Sequence, residues 1–307
     1  MNNYILKKGA VTLHFFTIPN QGLVLRKKEL NLWHNHRVLL PDSKGAFSVF
    51  QDESGTITLV SLTDKNEIYY TILGESEEKS FLLTKLKEDM EIKSISLFKT
   101  PIAANIVYTA QYRKKLLLVH CILGDNAMPD TIDEIQSEDY FIHNHSVYYT
   151  NSNGILGYKN LSDGKADIFN SITSGATEPY LYNYRGRDFL TYQKNNKIYL
   201  QNRLLTDDPG AKNPIITESD GALLVMWQKG DFIRYVSSFD NGESFGPPMQ
   251  YVSSGKIPTL INVISKGRAY RYFATISKKE IHIFGSNNPF SITNTEKNHR
   301  QNFDNFQ

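Results

Sequence analysis

The side chains of this sequence that could do chemistry are scattered along it. Glu178, in the run TSGATEPY just before a proline, could serve as a lone acid. A general acid needs a partner and a shifted pKa, and neither is visible beside it. Arg234, Arg268 and Arg271 stand near strand-like runs and could grip a carboxylate, yet no spacing marks them as a set. The tripeptide HNH occurs twice, at His34–His36 and His143–His145. On a strand, residues i and i+2 share a face, so either pair could offer two metal ligands. No third ligand is evident, and solvated or packing histidines are the favoured reading. The sequence thus assigns no catalytic residue, Glu178 being the candidate that remains, and no metal or cofactor. One further spacing stands out in SSFDNGESF: Ser238, Asp240, Gly242 and Phe245. Ser238 and Asp240 are short acceptors for N–H groups of their own turn, and Gly242 permits a positive φ. Phe245 can fold its ring back between strands. The spacing predicts a self-capped turn with an aromatic plug rather than a reaction centre.

The elements that must carry these residues are strands. Helical periodicity is nearly absent, the best helix candidate being EEKSFLLTKLKEDM. Runs of β-branched and aromatic residues recur instead, separated by polar or Gly-containing turns. They group into repeats. The first unit reads NYILKK, AVTLHFFT, GLVLRK and LWHNHRVLL, and the second AFSVFQ, TITLVSL, EIYYTIL and FLLTKL. The third, SISLFK, NIVYTA and LLLVHCIL, has no clear fourth strand, and in the fifth, PYLYNY, DFLTYQ and KIYLQN, the fourth is doubtful. Turns between first and second strands fall at Gly9, Gly55, Ile102, His145, Gly186, Gly221 and Gly267, in steps of 46, 47, 43, 41, 35 and 46 residues. Several units open with proline at the first strand, Pro179, Pro214 and Pro258, where a missing N–H breaks no ladder bond.

A repeat of this length, grouped in threes and fours, predicts an all-β fold: a seven-bladed β-propeller of four-stranded antiparallel blades, with six blades or a pair of β-sandwiches as alternatives. A single such domain is expected over residues 1–290, with a polar C-terminal tail or linker over 291–307. The chain of 307 residues is 40% hydrophobic and 21% charged, as globular proteins are, and its net charge of +2 excludes a global field toward nucleic acid or membrane. Cys121 is the single cysteine, so no intrachain disulfide forms; within LLLVHCIL it reads as a buried small hydrophobe. No signal peptide and no long apolar span are visible, so the default localisation is cytoplasmic. The frequent Asn, Lys, Ile and Tyr suit an AT-rich bacterial genome.

Ser238, Asp240, Gly242 and Phe245, with Ser244 in the usual Thr slot, closely resemble the Asp box, or BNR repeat, of sialidase-like propellers. Ser162, Asp163 and Gly164 in NLSDGKADIF resemble a degraded copy at the same place in the fourth unit. The resemblance implies the fold and is silent on activity, because in that family the turn lies on the face opposite the active site. Sialidases also share an Arg-Ile-Pro motif near the N-terminus, three arginines gripping a carboxylate, a Tyr–Glu nucleophile pair and an acid/base Asp. This chain departs from the pattern at once: NYILKKGAV lacks Arg-Ile-Pro, and KIP at Lys256–Pro258 lacks the arginine.

Charge supplies the remaining functional signal. The second-to-third-strand turns hold Lys65, the run Arg113, Lys114 and Lys115, then Lys194, Lys197, Lys229, Lys278 and Lys279. In a propeller these turns lie on one face with the loops that link successive blades, and lysines there would concentrate positive potential locally. Asp64, Glu67 and Asp231 dilute the patch, and exposed turns also carry lysine merely to solvate themselves and blunt strand edges. The resulting expectation is a non-catalytic binding module for a protein or an anionic polymer or glycan, with nucleic acid ranked below these. A divergent sialidase-like glycoside-acting enzyme is the alternative.

Overall fold

Runs of β-branched and aromatic residues fit a pleated, half-buried surface, and they fold as strands along this chain. The structure, a computed structural model, describes residues 3–30, 32–74, 78–87, 89–124, 128–161, 166–251, 256–265, 267–277 and 280–285. Among the described residues there is no helix, and so none long and apolar enough to cross a membrane. The first strands are β1 (Tyr4–Lys8), β2 (Val11–Ile18), β3 (Gly22–Glu29), β4 (Leu32–Trp33) and β5 (Arg37–Leu40). Next come β6 (Ser43–Gln51), β7 (Ile57–Thr63), β8 (Glu67–Leu73) and β9 (Glu78–Lys85). Then β10 (Met90–Lys99), β11 (Ala104–Tyr112) and β12 (Lys115–Ile122) lead into β13 (Asp130–His143), followed by β14 (Ser146–Asn151), β15 (Ile155–Asn160) and β16 (Asn170–Ser174). The next two groups are β17 (Ala176–Tyr184), β18 (Arg187–Lys194), β19 (Lys197–Leu200), β20 (Arg203–Thr206), and β21 (Lys212–Ser219), β22 (Ala222–Lys229), β23 (Phe232–Ser238), β24 (Met249–Tyr251). The last strands are β25 (Thr259–Ser265), β26 (Arg268–Ile276) and β27 (Ile281–Ile283).

The chain divides into two compact units, residues 1–180 with 261–271, and residues 181–260 with 272–307. In the first unit, antiparallel neighbours run β1-β2-β3, β6-β7-β8-β9 and β10 through β16, with β4 and β5 both on β3. Residues 262–264 of β25 pair in parallel with Tyr4, Ile5 and Leu6 of β1. The sheets of this unit pack face to face through the two-residue alternation of strand side chains. On β7, Ile57 and Leu59 join Leu6, Phe15 and Phe47, while Val60 and Leu62 join Ile95, Ile106 and Tyr108. Val107 turns the other way from its neighbours on β11, toward Leu118, Val147 and Tyr149. Strands buried on both faces read as continuous apolar runs, which is why TITLVSL and NIVYTA are legible. Cys121 is buried in the same core, its thiol pKa raised by that burial. The second unit holds the antiparallel series β18-β19-β20, β21 through β24, and β26-β27, around the fully buried Trp227, Tyr184 and Phe189.

Four expectations need correction. The helix candidate is β9, whose Glu78 to Lys85 pair with Leu73 to Glu67 of β8. Its Lys, Glu and Leu suit a helix by propensity, but hydrogen bonds to β8 decide, and the mostly exposed, charged strand forms the edge of its sheet. LWHNHRVLL is two strands, both on β3. The missing fourth strand of the third group is the polar first half of the 14-residue β13, whose second half pairs with β14. Pro179 and Pro214 lie inside β17 and β21 rather than opening them. Glu178 and Asn213, which precede them, each take φ of 54°, and the β21 register shifts between Lys212 and Ile215. At β21 this bulge absorbs the N–H that Pro214 lacks.

Candidate functional site

Within the first unit, the register places the start of each inner strand beside the end of its neighbour. Ser43 of β6 faces Thr63 of β7, and Met90 of β10 faces Tyr112 of β11. The β7–β8 turn, the β11–β12 turn and the entries to β6 and β10 therefore share one end of their strands. Lys65 is exposed on the first of these turns, and Arg113 and Lys114 on the second. The Arg113 guanidinium stands 5.1 Å from the Tyr112 ring centroid, and the Lys115 ammonium pairs with Glu134 at 2.6 Å.

A cleft of about 480 Å³ opens beside this end. Its walls are Thr17 to Asn20 from the end of β2 and the β2–β3 turn, Ser43 to Ala46 at the entry to β6, Leu62 of β7, and Glu91 to Lys93 of β10. Leu62, Ala46 and Ile92 make a buried apolar floor. Lys44 is exposed and donates to Asn66 Oδ1 at 3.2 Å, and Lys93 pairs with Glu91 at 2.7 Å. Neither lysine stands on a second-to-third-strand turn, so a reading of those turns alone misses both. The signal was in DSKGAF and MEIKSI, lysines at the entry of a first strand, which topology brings to the same end.

In the second unit, Lys194 and Lys197 flank the β18–β19 turn. Lys229 Nζ lies 2.8 Å from Asp208 Oδ1, and Arg234 Nη1 lies 2.6 Å from Oδ2. Burial works to raise the Asp208 pKa, but the two cations outweigh it and hold the carboxyl below its usual range. Lys278 and Lys279 lie outside the described residues.

Of the three arginines, Arg234 of the second unit is committed to Asp208, and Arg268 and Arg271 belong to the first unit, where Arg268 is exposed. Arg271 donates from Nη2 to the carbonyl of Tyr140 at 3.0 Å and from its backbone N to Tyr180 Oη at 3.2 Å, with its guanidinium over the rings of Phe141 and Tyr180. Glu178 is half-buried inside β17 rather than in a loop. Its left-handed backbone recurs at Asn213, before the proline of the next group, so the conformation belongs to the pre-proline position. His34 and His36 lie between β4 and β5, and His145 lies in a turn with φ of 64°, so neither HNH pair sits at i and i+2 within one strand. Among the described residues no group of three or more His, Cys, Asp or Glu is placed to hold a metal.

The SSFDNGESF segment follows β23. Ser238 Oγ donates to Asp240 Oδ1 and accepts from the N–H of Gly242, both at 2.7 Å, while the N–H of Ser244 reaches Asp240 Oδ1 at 2.9 Å. The Ser244 hydroxyl donates to the other carboxylate oxygen. These bonds, the Ser244 hydroxyl first, hold the Asp240 carboxyl far below the usual carboxylate range. Gly242 has φ of 86°, and a Cβ there would lie 2.6 Å from the Phe189 ring. Phe245 is half-buried, with the Arg203 guanidinium 5.5 Å from its ring centroid. Arg185 donates to Asn241, Arg187 pairs with Glu243, and Arg203 donates to the Glu243 carbonyl, so three arginines clamp this turn. Ser162, Asp163 and Gly164 lie outside the described residues.

One cluster went unread in the sequence. On β2 and β3 of the first unit, Arg26 Nε donates to His14 Nδ1 at 2.9 Å, and His14 Nε2 stands 3.1 Å from Asn3 Oδ1. The ring is therefore neutral with its proton on Nε2, and burial, then the Arg26 charge, hold its pKa well below the usual value. Arg26 lies over the rings of Trp33 at 4.2 Å and Phe16 at 5.4 Å, and burial lowers its own pKa to about 10.

No protein-family model matches the chain, and no curated protein sequence matches it. Solved structures do. The β-propeller domain of Cps50 (Swd1) from Myceliophteria thermophila superposes with a TM-score of 0.57 at 11% identity, over 93% of this chain and 96% of that one. The fold is a β-propeller. The Aleuria aurantia lectin, in complex with Fucα1-6GlcNAc, gives a TM-score of 0.45 at 11% identity over 92% of this chain and 94% of its own. Another structure of that lectin, described as a six-bladed β-propeller, gives 0.45 at 11% identity over 90% and 88%. At 11% identity the likeness to the Cps50 domain is one of fold alone.

Proposed function

We propose that this protein is a non-catalytic binding module, one propeller domain over residues 1–290. Its seven blades are β1–β5, β6–β9, β10 to the first half of β13, the second half of β13 to β16, β17–β20, β21–β24, and β25 onward. It recognises a protein or an anionic polymer or glycan through the turns that carry Lys65, Arg113, Lys114, Lys115, Lys194, Lys229, Lys278 and Lys279. The observation that carries this reading is local to the first unit: exposed Lys65, Arg113 and Lys114 share a strand end with an open cleft. The one carboxylate lining that cleft, Glu91, is ion-paired to Lys93. Most glycoside hydrolases set two carboxylates across the scissile bond, and sialidases a tyrosine backed by a Glu with a separate acid; the lining of this cleft holds one carboxylate and no tyrosine. The Ser238–Phe245 turn serves as a structural Asp-box-like stop, and Glu178 serves the left-handed pre-proline position of β17.

A glycan array that includes acidic polysaccharides, run beside retention on a heparin column, tests the reading. The expected outcome is binding to acidic ligands that weakens as salt rises, since exposed charges are screened within about 8 Å at physiological ionic strength. Hydrolysis of a fluorogenic sialoside that disappears in Glu178→Gln would overturn it in favour of a divergent sialidase-like enzyme.

A further inference from the structure

We propose that the cleft between the β2–β3 turn, the entry to β6 and the start of β10 is a subsite for one acidic sugar unit, with Lys44 and Lys93 facing its anionic group. This inference rests on the binding-module reading and adds a ligand class and two residues to it. At about 480 Å³ the cleft falls within the range of small-molecule sites, about 300–1,000 Å³.

Its lining divides by chemistry. Leu62, Ala46 and Ile92 are buried beneath it, an apolar floor against which the carbon face of a pyranose can lie. Thr17, Asn20 and Ser43 add short side chains that both donate and accept hydrogen bonds, as a polyhydroxylated ligand requires. The charges are unequal. Lys44 bonds a neutral amide, Asn66, and among the described residues no carboxylate pairs with it, whereas Lys93 shares its charge with Glu91. An ammonium has three donors, and each of these contacts uses one. Two lysines against one carboxylate leave one net positive charge, which suits a ligand with a single acidic group. Glu91 is 67% exposed and remains able to accept from sugar hydroxyls. An acidic peptide would match the charge but would leave the hydroxyl-matching side chains without purpose, so the sugar is the occupant favoured here.

The test is calorimetric titration of the whole chain with methyl glucuronide, with glucose 6-sulfate as a second acidic probe and methyl glucoside as the neutral one. The inference predicts that at least one acidic sugar binds and the neutral one does not. The difference between the two acidic probes tells carboxylate from sulfate. Lys44→Gln and Lys93→Gln should each weaken binding by about tenfold, the loss of one charge-assisted hydrogen bond. Both lysines are exposed, so the thermal transition of the variants should match the parent. The Lys65→Glu/Arg113→Glu/Lys114→Glu variant should keep sugar binding and lose heparin retention. If heparin retention is salt-sensitive but no acidic sugar binds, the inference fails and the binding-module reading stands. If neither is seen, the inference fails together with the polymer and glycan part of the binding-module reading. Equal binding of methyl glucoside, or unchanged binding in the two glutamine variants, also overturns it. So does binding of a short poly-glutamate peptide in place of the sugars, which would assign the cleft to a protein partner.

Discussion

Single residues set the local geometry of this protein through hydrogen bonds that few other side chains could make. Gly242 is the sharpest case. Its φ of 86° and the Phe189 ring 2.6 Å from where a Cβ would sit leave no room for alanine. Gly242→Ala should destabilise the protein by about 1–3 kcal/mol, the range for overpacking, read as a lower urea midpoint. Asp240→Asn removes the charge and turns one of the two carboxylate oxygens into an N–H donor, so the side chain can no longer accept on one oxygen from Ser238 and the Ser244 N–H and on the other from the Ser244 hydroxyl. Because the Asp240 pKa is depressed in the fold, its contribution is present above about pH 4 and lost as pH falls below it. Proteolytic nicking within residues 238–246, scored at neutral pH, should rise in this variant; an unchanged rate would mean the bonds do not hold the turn. His14 works in the same sense on the first unit. Kept neutral in the fold and free to protonate when unfolded, it favours the fold above about pH 6.5, and this is lost as pH drops below that value, at up to about 1.4 kcal/mol per pH unit. The urea midpoint should fall between pH 7 and pH 5, and His14→Gln should flatten the fall. Part of the slope will persist through His120, whose pKa burial also lowers against the opposing charge of Asp130. At this scale the sequence was legible where a side chain bonds its own turn, as Ser238 and Asp240 do. It was not legible where the partner comes from another strand, as with Arg26, His14 and Trp33.

The strands explain which parts of the fold were readable. ITLVSL and ALLVMW are buried along their length and announce themselves by composition. The edge strand β9 did not, because an exposed edge is written in charged residues that read as a helix face. The first half of β13 hid for the same reason, and only its pairing with Leu117 to His120 reveals it. Leu62 tests whether alternation on β7 stabilises the unit as argued. It lies 2% exposed between the β6–β9 sheet and β10–β12, so Leu62→Ala should cost about 2–5 kcal/mol, read by urea unfolding. A cost below about 1 kcal/mol would mean the site collapses and the face-to-face packing is looser than described.

For the whole molecule, the repeat of first-to-second-strand turns carried the propeller architecture through to the superposition on the Cps50 domain. The basic turns carried less, because sequence spacing cannot tell a committed cation from an available one. Lys115 and Lys229 proved to be paired with Glu134 and Asp208, while Lys65, Arg113 and Lys114 stand exposed. The proposed anion-facing charge of the first unit therefore falls on those three residues. Titration of labelled heparin against the parent chain and the Lys65→Glu/Arg113→Glu/Lys114→Glu variant, repeated at several salt concentrations, tests this most directly. The account predicts that affinity of the parent falls steeply with salt, and that the variant binds at least about tenfold more weakly at low salt with a shallower slope. Equal affinity and equal slope for the two proteins would contradict it.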